Sequence, residues 1–547
     1  MTRLRDAALR RPRLALVLYC LLVWLPGWAS LPPTDRDESR FAQATKQMLE
    51  SGDFVDIRNG TEARNRKPIG IYWLQAPGVA LAQATGIARE NPIWPYRVPS
   101  LAGGLVAVLA TFAIGRRIAG TAAGLLAGAM LGGCVLLILE VRIAKTDAAL
   151  LGATTIAMGV LAQAYLRRPV GGGRAALFWL AIGVGVLLKG PITPMVAGLT
   201  ALTLALADRR VRWLAALRPA WGIPLLLAVV LPWFVAIGVA THGGFFRDAL
   251  GGDLGNKLAG GDDAHGAPPG YHLLLLSATL FPGGFVALTA LPSAWRGRRE
   301  PATRFLLAWL VPSWLVFEAV STKLPHYPLP LFPALCLLGA AWIATPARDP
   351  GPAWLRRGAR GLTLAAAVVF TLAGAALPFV LAGIAPGDWR ALAPLLAGGL
   401  LLWLLLRVRG TGRTLAGALL ATPLLVWSVL ALELPQARAV WVARGVCDAA
   451  AGVPHPGGFG AVGYAEPSLM FLCGTQTQLF SGPLPGAAFL AGGPGRLVAV
   501  EGREVAAFLA AAARDGITPQ AVATVRGLNY SNGRWMTLSL YDRRDDN

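Results

Sequence analysis

The sequence predicts an α-helical polytopic membrane protein of about 13 transmembrane helices, with a small α/β domain at its C-terminal end. Three observations lead there. The 547 residues are 55% hydrophobic and only 14% charged, whereas soluble proteins average about 25% charged residues. A soluble fold cannot hide so much apolar surface. Arginines recur in short clusters between apolar segments, and roughly the last 110 residues turn to short alternating runs and turn signals. The net charge of +21 would point to nucleic acid on a soluble chain. Here the positive-inside rule accounts for it, and no nucleic-acid partner is expected.

The spans follow in order. Arg3, Arg5, Arg10, Arg11 and Arg13 precede the first apolar run, which ends in LPPTDRDE rather than in a small-residue cleavage site. It therefore reads as a retained first span (14–31) leaving a cytoplasmic N-terminus. Spans 2 (97–115), 4 (147–166), 6 (191–207), 8 (271–292), 10 (328–345) and 12 (391–406) each end in a basic cluster. Spans 3 (119–139), 5 (175–188), 7 (221–240), 9 (303–320), 11 (362–384) and 13 (414–433) run outward. The unbroken alternation places the C-terminal domain outside.

Two regions fold outside the bilayer. In the first loop, 32–95, Phe41, Ala44, Met48 and Leu49 recur at helical spacing among polar residues, as in a helix lying on a surface. IGIYWLQAPGVALAQ, cut by Pro77, reads as a second interfacial helix. Residues 1–433 thus form the transmembrane unit and 434–547 the α/β domain. In the latter, RLVAV (496–500) reads as a strand, 503–516 as a helix ending at Gly516, and the runs flanking Asn532-Gly533 as a hairpin. Cys20, Cys134 and Cys336 fall in apolar segments as inert small hydrophobes. Cys447 and Cys473 lie in the external domain, where their 26-residue separation permits a disulfide without demanding one. No metal-type spacing exists.

The lysines are the sharpest functional signal. There are only six, Lys46, Lys67, Lys145, Lys189, Lys257 and Lys323, among 50 basic residues, and all fall on the external side of this topology. Two readings account for that. Either positive-inside insertion leaves stray lysines outside, or several loops feed an external anion site that needs compact ammonium donors for phosphate oxygens. Carboxylates supply the other half. Asp35, Asp37 and Glu38 follow span 1, and Glu140 and Asp147 bracket the turn between spans 3 and 4. Carboxylates at apolar helix ends are costly and are functional candidates. Glu140 could instead pair with Arg142 or Lys145, Asp147 could cap span 4, and Glu318 could serve only as the partner of Lys323.

DESRFAQATKQMLESGDF, RKPIGIYWLQA and, after span 9, KLPHYPLPLFP together resemble the aminoarabinose transferase-like family of bacterial membrane glycosyltransferases, GT-C enzymes related to protein O-mannosyltransferases. The resemblance covers nearly the whole chain. It implies sugar transfer from a polyprenyl-phosphate donor to an envelope acceptor, lipid A or another lipid or glycan, with inversion, at the periplasmic face of the inner membrane. It also implies roles. Asp37 holds the aspartate position of the family's DE motif, with Glu38 beside it in the candidate catalytic set. One helical step away, Glu38 points elsewhere or binds the surrounding loop, and Asp35 is the fallback. Lys67 matches the phosphate-binding lysine, with Ile69 in place of the family's second proline, and Tyr327 matches the tyrosine of KLPxY. GGDLGNKLAGG departs from the family pattern, and Lys257 is its nearest match to the expected cation. Lys323 and His326 join the candidate donor-phosphate set, and Asp147 is a second acidic residue of the site. No cofactor is called for, and a divalent cation stays open. The alternatives are an enzyme of the protein O-mannosyltransferase kind and a lipid or sugar transporter. A transporter would place its polar residues near the midplane on repeated, broken helices, whereas here they gather at one face and no repeat is seen.

Overall fold

The computed structural model describes residues 6, 8–65, 67–88, 91–254, 267–345, 351–382 and 389–543. Each of the thirteen expected spans falls on helix. Among the described residues, seven helices are long and apolar enough to cross a membrane. The chain is a multi-pass membrane protein with a small C-terminal α/β unit.

Five spans depart from expectation in ways the local sequence explains. Span 1 is helical only over Pro12–Trp24. Pro26 lacks an amide to continue the ladder, and Gly27 (φ 79°) turns the chain where an added Cβ would strike the Leu430 carbonyl. Spans 2 and 3 form one helical run, Trp94–Gly132, broken at Gly120 (φ 88°). Gly115 and Gly124 then meet backbone to backbone, so the run folds into a hairpin. Span 8 is two helices, Tyr271–Thr279 and Gly284–Arg296. Span 11 begins early, at Ala353, which puts Arg356, Arg357 and Arg360 on helix rather than in a loop.

The first loop holds the expected helices, Asp37–Ser51 and Gly70–Ala84, joined through a two-residue hairpin of β1 (Arg58–Asn59) and β2 (Glu62–Ala63). Phe41, Ala44 and Met48 bury against Ile69, Ile71, Tyr72, Leu187, Leu188 and Trp233, which presses the first loop helix onto the ends of two membrane helices. Beyond the membrane unit lie β3 (Gly458–Val462), β4 (Gln478–Phe480), β5 (Arg496–Glu501), β6 (Pro519–Asn529) and β7 (Arg534–Arg543). They form one sheet in the order β4-β3-β5-β7-β6. The expected strand, helix (Val505–Arg514) and hairpin are all present. Cys447 and Cys473 are joined in a disulfide that ties helix Val442–Ala451 to helix Pro467–Cys473. Phe471 of the latter packs edge-on against Tyr96, ring centroids 5.3 Å apart.

A buried ion pair fastens the first loop to the membrane unit. Arg97, on the first turn of the Trp94–Gly132 run, donates to Glu38 Oε1 at 2.7 Å and Oε2 at 3.0 Å. Its remaining donors reach the carbonyls of Trp28 (2.7 Å), Leu31 (2.9 Å) and Pro32 (3.1 Å). Removing one partner of such a pair leaves an uncompensated buried charge. Arg97→Met should therefore destabilise the protein by about 3–5 kcal/mol, read as a lowered unfolding temperature of the detergent-solubilised chain. An unfolding temperature equal to that of the parent would refute this.

Candidate active site

The site forms where three connections meet. The turn between spans 3 and 4 contributes Glu140, Lys145 and Asp147. Helix Gly172–Lys189 ends on Lys189, and the loop after helix Pro301–Ala319 supplies His326 and Tyr327. Gly70 brings in the fourth segment. A Cβ built on it would lie 2.7 Å from the Leu187 carbonyl carbon. The bare backbone lets helix Gly70–Ala84 start against the end of helix Gly172–Lys189, and Lys67 precedes that start by three residues.

The charges interlock. Lys189 Nζ lies 2.5 Å from Asp147 Oδ1. Lys145 Nζ lies 3.5 Å from Asp147 Oδ2 and 3.0 Å from Glu140 Oε1. His326 Nε2 is 3.8 Å from Asp147, its Nδ1 4.0 Å from Glu140, and its ring packs edge-on against Tyr327 at 5.3 Å. Lys189 Nζ sits over the Tyr327 ring, 5.4 Å from its centroid. Burial works against the Lys145 ammonium, yet Glu140, Asp147 and, more distantly, Asp37 hold its pKa above the ordinary lysine value. Burial pushes the His326 imidazole well below its usual range. Asp147 opposes that shift and Lys145, Lys189 and Lys67 reinforce it, so the ring is neutral near pH 7. Three ammonium groups therefore act on one imidazole.

The three carboxylates of the opening motif part company. Asp37 stands at the exposed start of its helix with no hydrogen bond or ion pair among the described residues, and its charge is felt at Lys145, Arg40 and Tyr72. Glu38 is fully buried. Besides Arg97, it accepts from the backbone and hydroxyl of Thr34 (2.8 and 3.0 Å) and from the Ala144 amide (3.0 Å). It binds the surrounding loop rather than facing the lysines. Asp35 turns to the C-terminal unit, where Tyr464 donates to Oδ2 at 3.0 Å and Ser468 to Oδ1. Its own amide donates to the Tyr530 hydroxyl at 2.5 Å.

Of the other sequence-derived candidates, Asp147, Lys67, His326 and Tyr327 are brought together. Lys323 is spent elsewhere: buried, it donates to the Ala267 carbonyl at 2.8 Å. Glu318 does not pair with it, but accepts from the amides of Gly270 (3.0 Å) and His272 (3.1 Å). Lys257 lies outside the described residues. Asp147 makes no capping bond to its helix. Glu140 takes Lys145, not Arg142, whose guanidinium donates to the carbonyls of Ile138, Val23 and Pro26. Lys145 and Lys189 were absent from the candidate donor set, although the one-sided placement of the lysines already marked them.

The fold has counterparts among known proteins. The fold matches the crystal structure of ArnT from Cupriavidus metallidurans bound to undecaprenyl phosphate, with a TM-score of 0.75, 96% of this chain and 97% of that one covered, at 18% identity. The chain shares the fold of that protein. The apo state of the same protein gives a TM-score of 0.73 at 19% identity. Residues 66–235 match the family model described as dolichyl-phosphate-mannose-protein mannosyltransferase. The chain is 30% identical over 314 residues to the undecaprenyl phosphate-alpha-4-amino-4-deoxy-L-arabinose arabinosyl transferase of Pseudomonas paraeruginosa, covering 56% of this chain and 55% of that protein. To its counterpart in Pectobacterium carotovorum it is 30% identical over 340 residues, or 60% and 58%. The chain thus spans a little over half the length of the curated relatives it matches. The resemblance carried by DESRF, RKPIGIYW and KLPHY is borne out.

Burial pushes the Asp35 carboxyl up to about 6, against the opposing pull of the Ser468 and Tyr464 hydroxyls. A carboxyl whose folded pKa is raised contributes stability that is full below its unfolded value, near 4, and is lost as pH rises through about 6. Unfolding temperature should therefore fall from pH 4 to pH 7 more steeply for the parent than for Asp35→Asn. Parallel profiles would show that Asp35 is not buried as described.

Proposed function

We propose that this protein is a glycosyltransferase of the inner membrane that moves a sugar from a polyprenyl-phosphate donor to an envelope acceptor at the periplasmic face. The observation that carries it is the convergence of Lys67, Lys145 and Lys189 on His326 and Asp147, with the exposed carboxylate of Asp37 close enough for its charge to act on Lys145. The relatives named as undecaprenyl phosphate aminoarabinose transferases support the donor class, and lipid A is the acceptor most in keeping with them.

In the reaction the bond from the anomeric carbon to the donor phosphate breaks and a bond to an acceptor oxygen forms. Negative charge grows on the departing phosphate, and fixed ammonium donors in a water-poor site favour that state over the ground state. Lys67 and Lys189 take this role, with the Tyr327 hydroxyl as a neutral donor. Asp147 and Glu140 hold Lys145 and Lys189 in place and keep the empty site from being a bare cluster of positive charge. They also leave the ammonium groups with donors to spare, since each carries three. Neutral His326 can hydrogen-bond without adding charge. These groups can meet the phosphate with or without a divalent cation. Asp37 takes the proton when the acceptor is a hydroxyl. When the acceptor is an ionised phosphate no base is needed, and Asp37 holds the sugar. Glu38 and Lys323 are given architectural roles. The family model's description keeps a protein acceptor as the second reading.

Two outcomes are expected. Asp37→Asn should cut turnover of a polyprenyl-phosphate sugar by at least roughly a hundredfold with donor binding retained, while Asp35→Asn stays near normal. Lys67→Ala and Lys189→Ala should weaken donor binding as well as turnover. Near-normal turnover of Asp37→Asn would remove it from the chemistry. For orientation, single cysteines placed beside Lys67 and Lys323 should react with an impermeant reagent in intact cells. Labelling only after lysis would invert the topology and sink the periplasmic assignment. Mass spectrometry of envelope lipids, glycans and proteins with and without the gene would identify the acceptor by the lost sugar mass.

A further inference from the structure

A second cluster of positive charge surrounds a real cavity, far along the chain from the lysines. Helix Gly284–Arg296, the first turns of helix Ala353–Leu377, the end of helix Ala393–Arg407 and the start of helix Thr411–Trp427 enclose about 420 Å³. Arg356, Arg360 and Arg409 line it, with Thr411 beside them and Phe285 and Leu405 as apolar wall. Arg356 and Arg360 stand one turn apart on the same helix face. Arg360 is steadied by the carbonyls of Leu405 (2.5 Å) and Leu406 (3.3 Å), and Arg356 by that of Gly351 (2.8 Å). Arg409 makes no hydrogen bond among the described residues, and none of the three arginines pairs with a carboxylate there. Between Glu318 and Glu433 the sequence holds only two carboxylates, Asp349 and Asp388.

The positive-inside rule explains why arginines gather at this end, but not why three of them, from two segments, should border one cavity. A second basic pair, Arg117 and Arg168, borders a space of only about 10 Å³, room for no more than a water. Thr411 opens a 17-residue helix after Gly410 (φ 94°), so amides without intrahelical acceptors lie at the rim beside the guanidinium groups. Trp354 and Trp403, on two of the bordering helices, are 73% and 56% exposed, and Leu406 is 59% exposed. Exposed tryptophans at basic helix ends mark the membrane–water interface, and basic pockets between helices on the cytoplasmic side suit phosphate head groups. We propose that this cavity binds the phosphate of an anionic phospholipid of the cytoplasmic leaflet, its acyl chains lying along Leu406 and Trp403.

The test uses the full chain, delipidated in detergent and titrated with phosphatidylglycerol, phosphatidylcholine or inorganic phosphate while native mass spectrometry counts adducts. Phosphatidylglycerol should bind in preference to phosphatidylcholine. The combined Arg356→Gln, Arg360→Gln, Arg409→Gln variant should weaken it at least roughly tenfold, whereas Arg209→Gln, Arg210→Gln, Arg212→Gln, which removes as many charges from an exposed connection, should change it by less than about twofold. Thr411→Asp, which leaves every arginine contact in place, should weaken it too and serves if the triple variant fails to fold. Equal losses in both triple variants, or no loss in Thr411→Asp, would overturn the proposal. Binding of inorganic phosphate with no preference between the two lipids would overturn the lipid assignment.

Discussion

One guanidinium governs where the first loop can be. Arg97 has five N–H donors, and all five are used on a carboxylate and three backbone carbonyls within a region closed to water. Glu38 is equally saturated, because its second set of donors comes from Thr34 and Ala144. The pair therefore joins the exit of span 1, the entry of span 2 and the turn between spans 3 and 4. A buried pair of this kind adds little net stability over well-packed apolar residues. What it fixes is register, because a shift of the loop would break these bonds and leave buried donors unpaired. The start of helix Asp37–Ser51 is set by it, and with that the distance between Asp37 and Lys145.

The site works by near-cancellation. Lysines alone at a bilayer edge would repel one another and would not insert readily, and carboxylates alone would repel a phosphate. Asp147 sits between Lys145 and Lys189 and Glu140 behind Lys145, so the empty site carries only a small excess of positive charge. Ion pairs this close neutralise one face of an ammonium and leave its other donors aimable. Burial is the main reason His326 is held well below its usual pKa; Asp147 opposes that shift, and Lys145, Lys189 and Lys67 reinforce it.

Much of this was legible in the sequence, and the reasons differ by feature. Helix positions followed from hydropathy and arginine clusters because every backbone group inside a bilayer must be satisfied within its own segment. The meeting of Lys145 and Lys189 at Asp147 was foreshadowed by lysine placement, since the chain otherwise uses arginine. Tertiary partners were not legible. Lys189 lies 42 positions from Asp147, and only the packing of two helices reveals their contact. Lys323 looked equivalent to the others by side and motif, yet its ammonium turns to a carbonyl that no pattern marks. The early start of span 11 was missed because arginines are good helix formers as well as topological signals.

Asp35, Asp37 and Glu38 lie within four residues, and the structure gives each different surroundings. Asp35 sits in the turn before the helix, and its buried side chain accepts from Tyr464 and Ser468. Asp37 and Glu38 are the first two helical residues, and successive side chains on a helix point about 100° apart. With Glu38 fixed inward on Arg97, Asp37 lies on a different face of the helix and stays exposed. The same hydrogen bonds that bury Glu38 thus expose Asp37, and they do so from a loop held at both ends, by the C-terminal unit at Asp35 and by the membrane helices at Glu38. Asp37 thereby stays exposed and makes no ion pair among the described residues, although its charge is felt at Lys145.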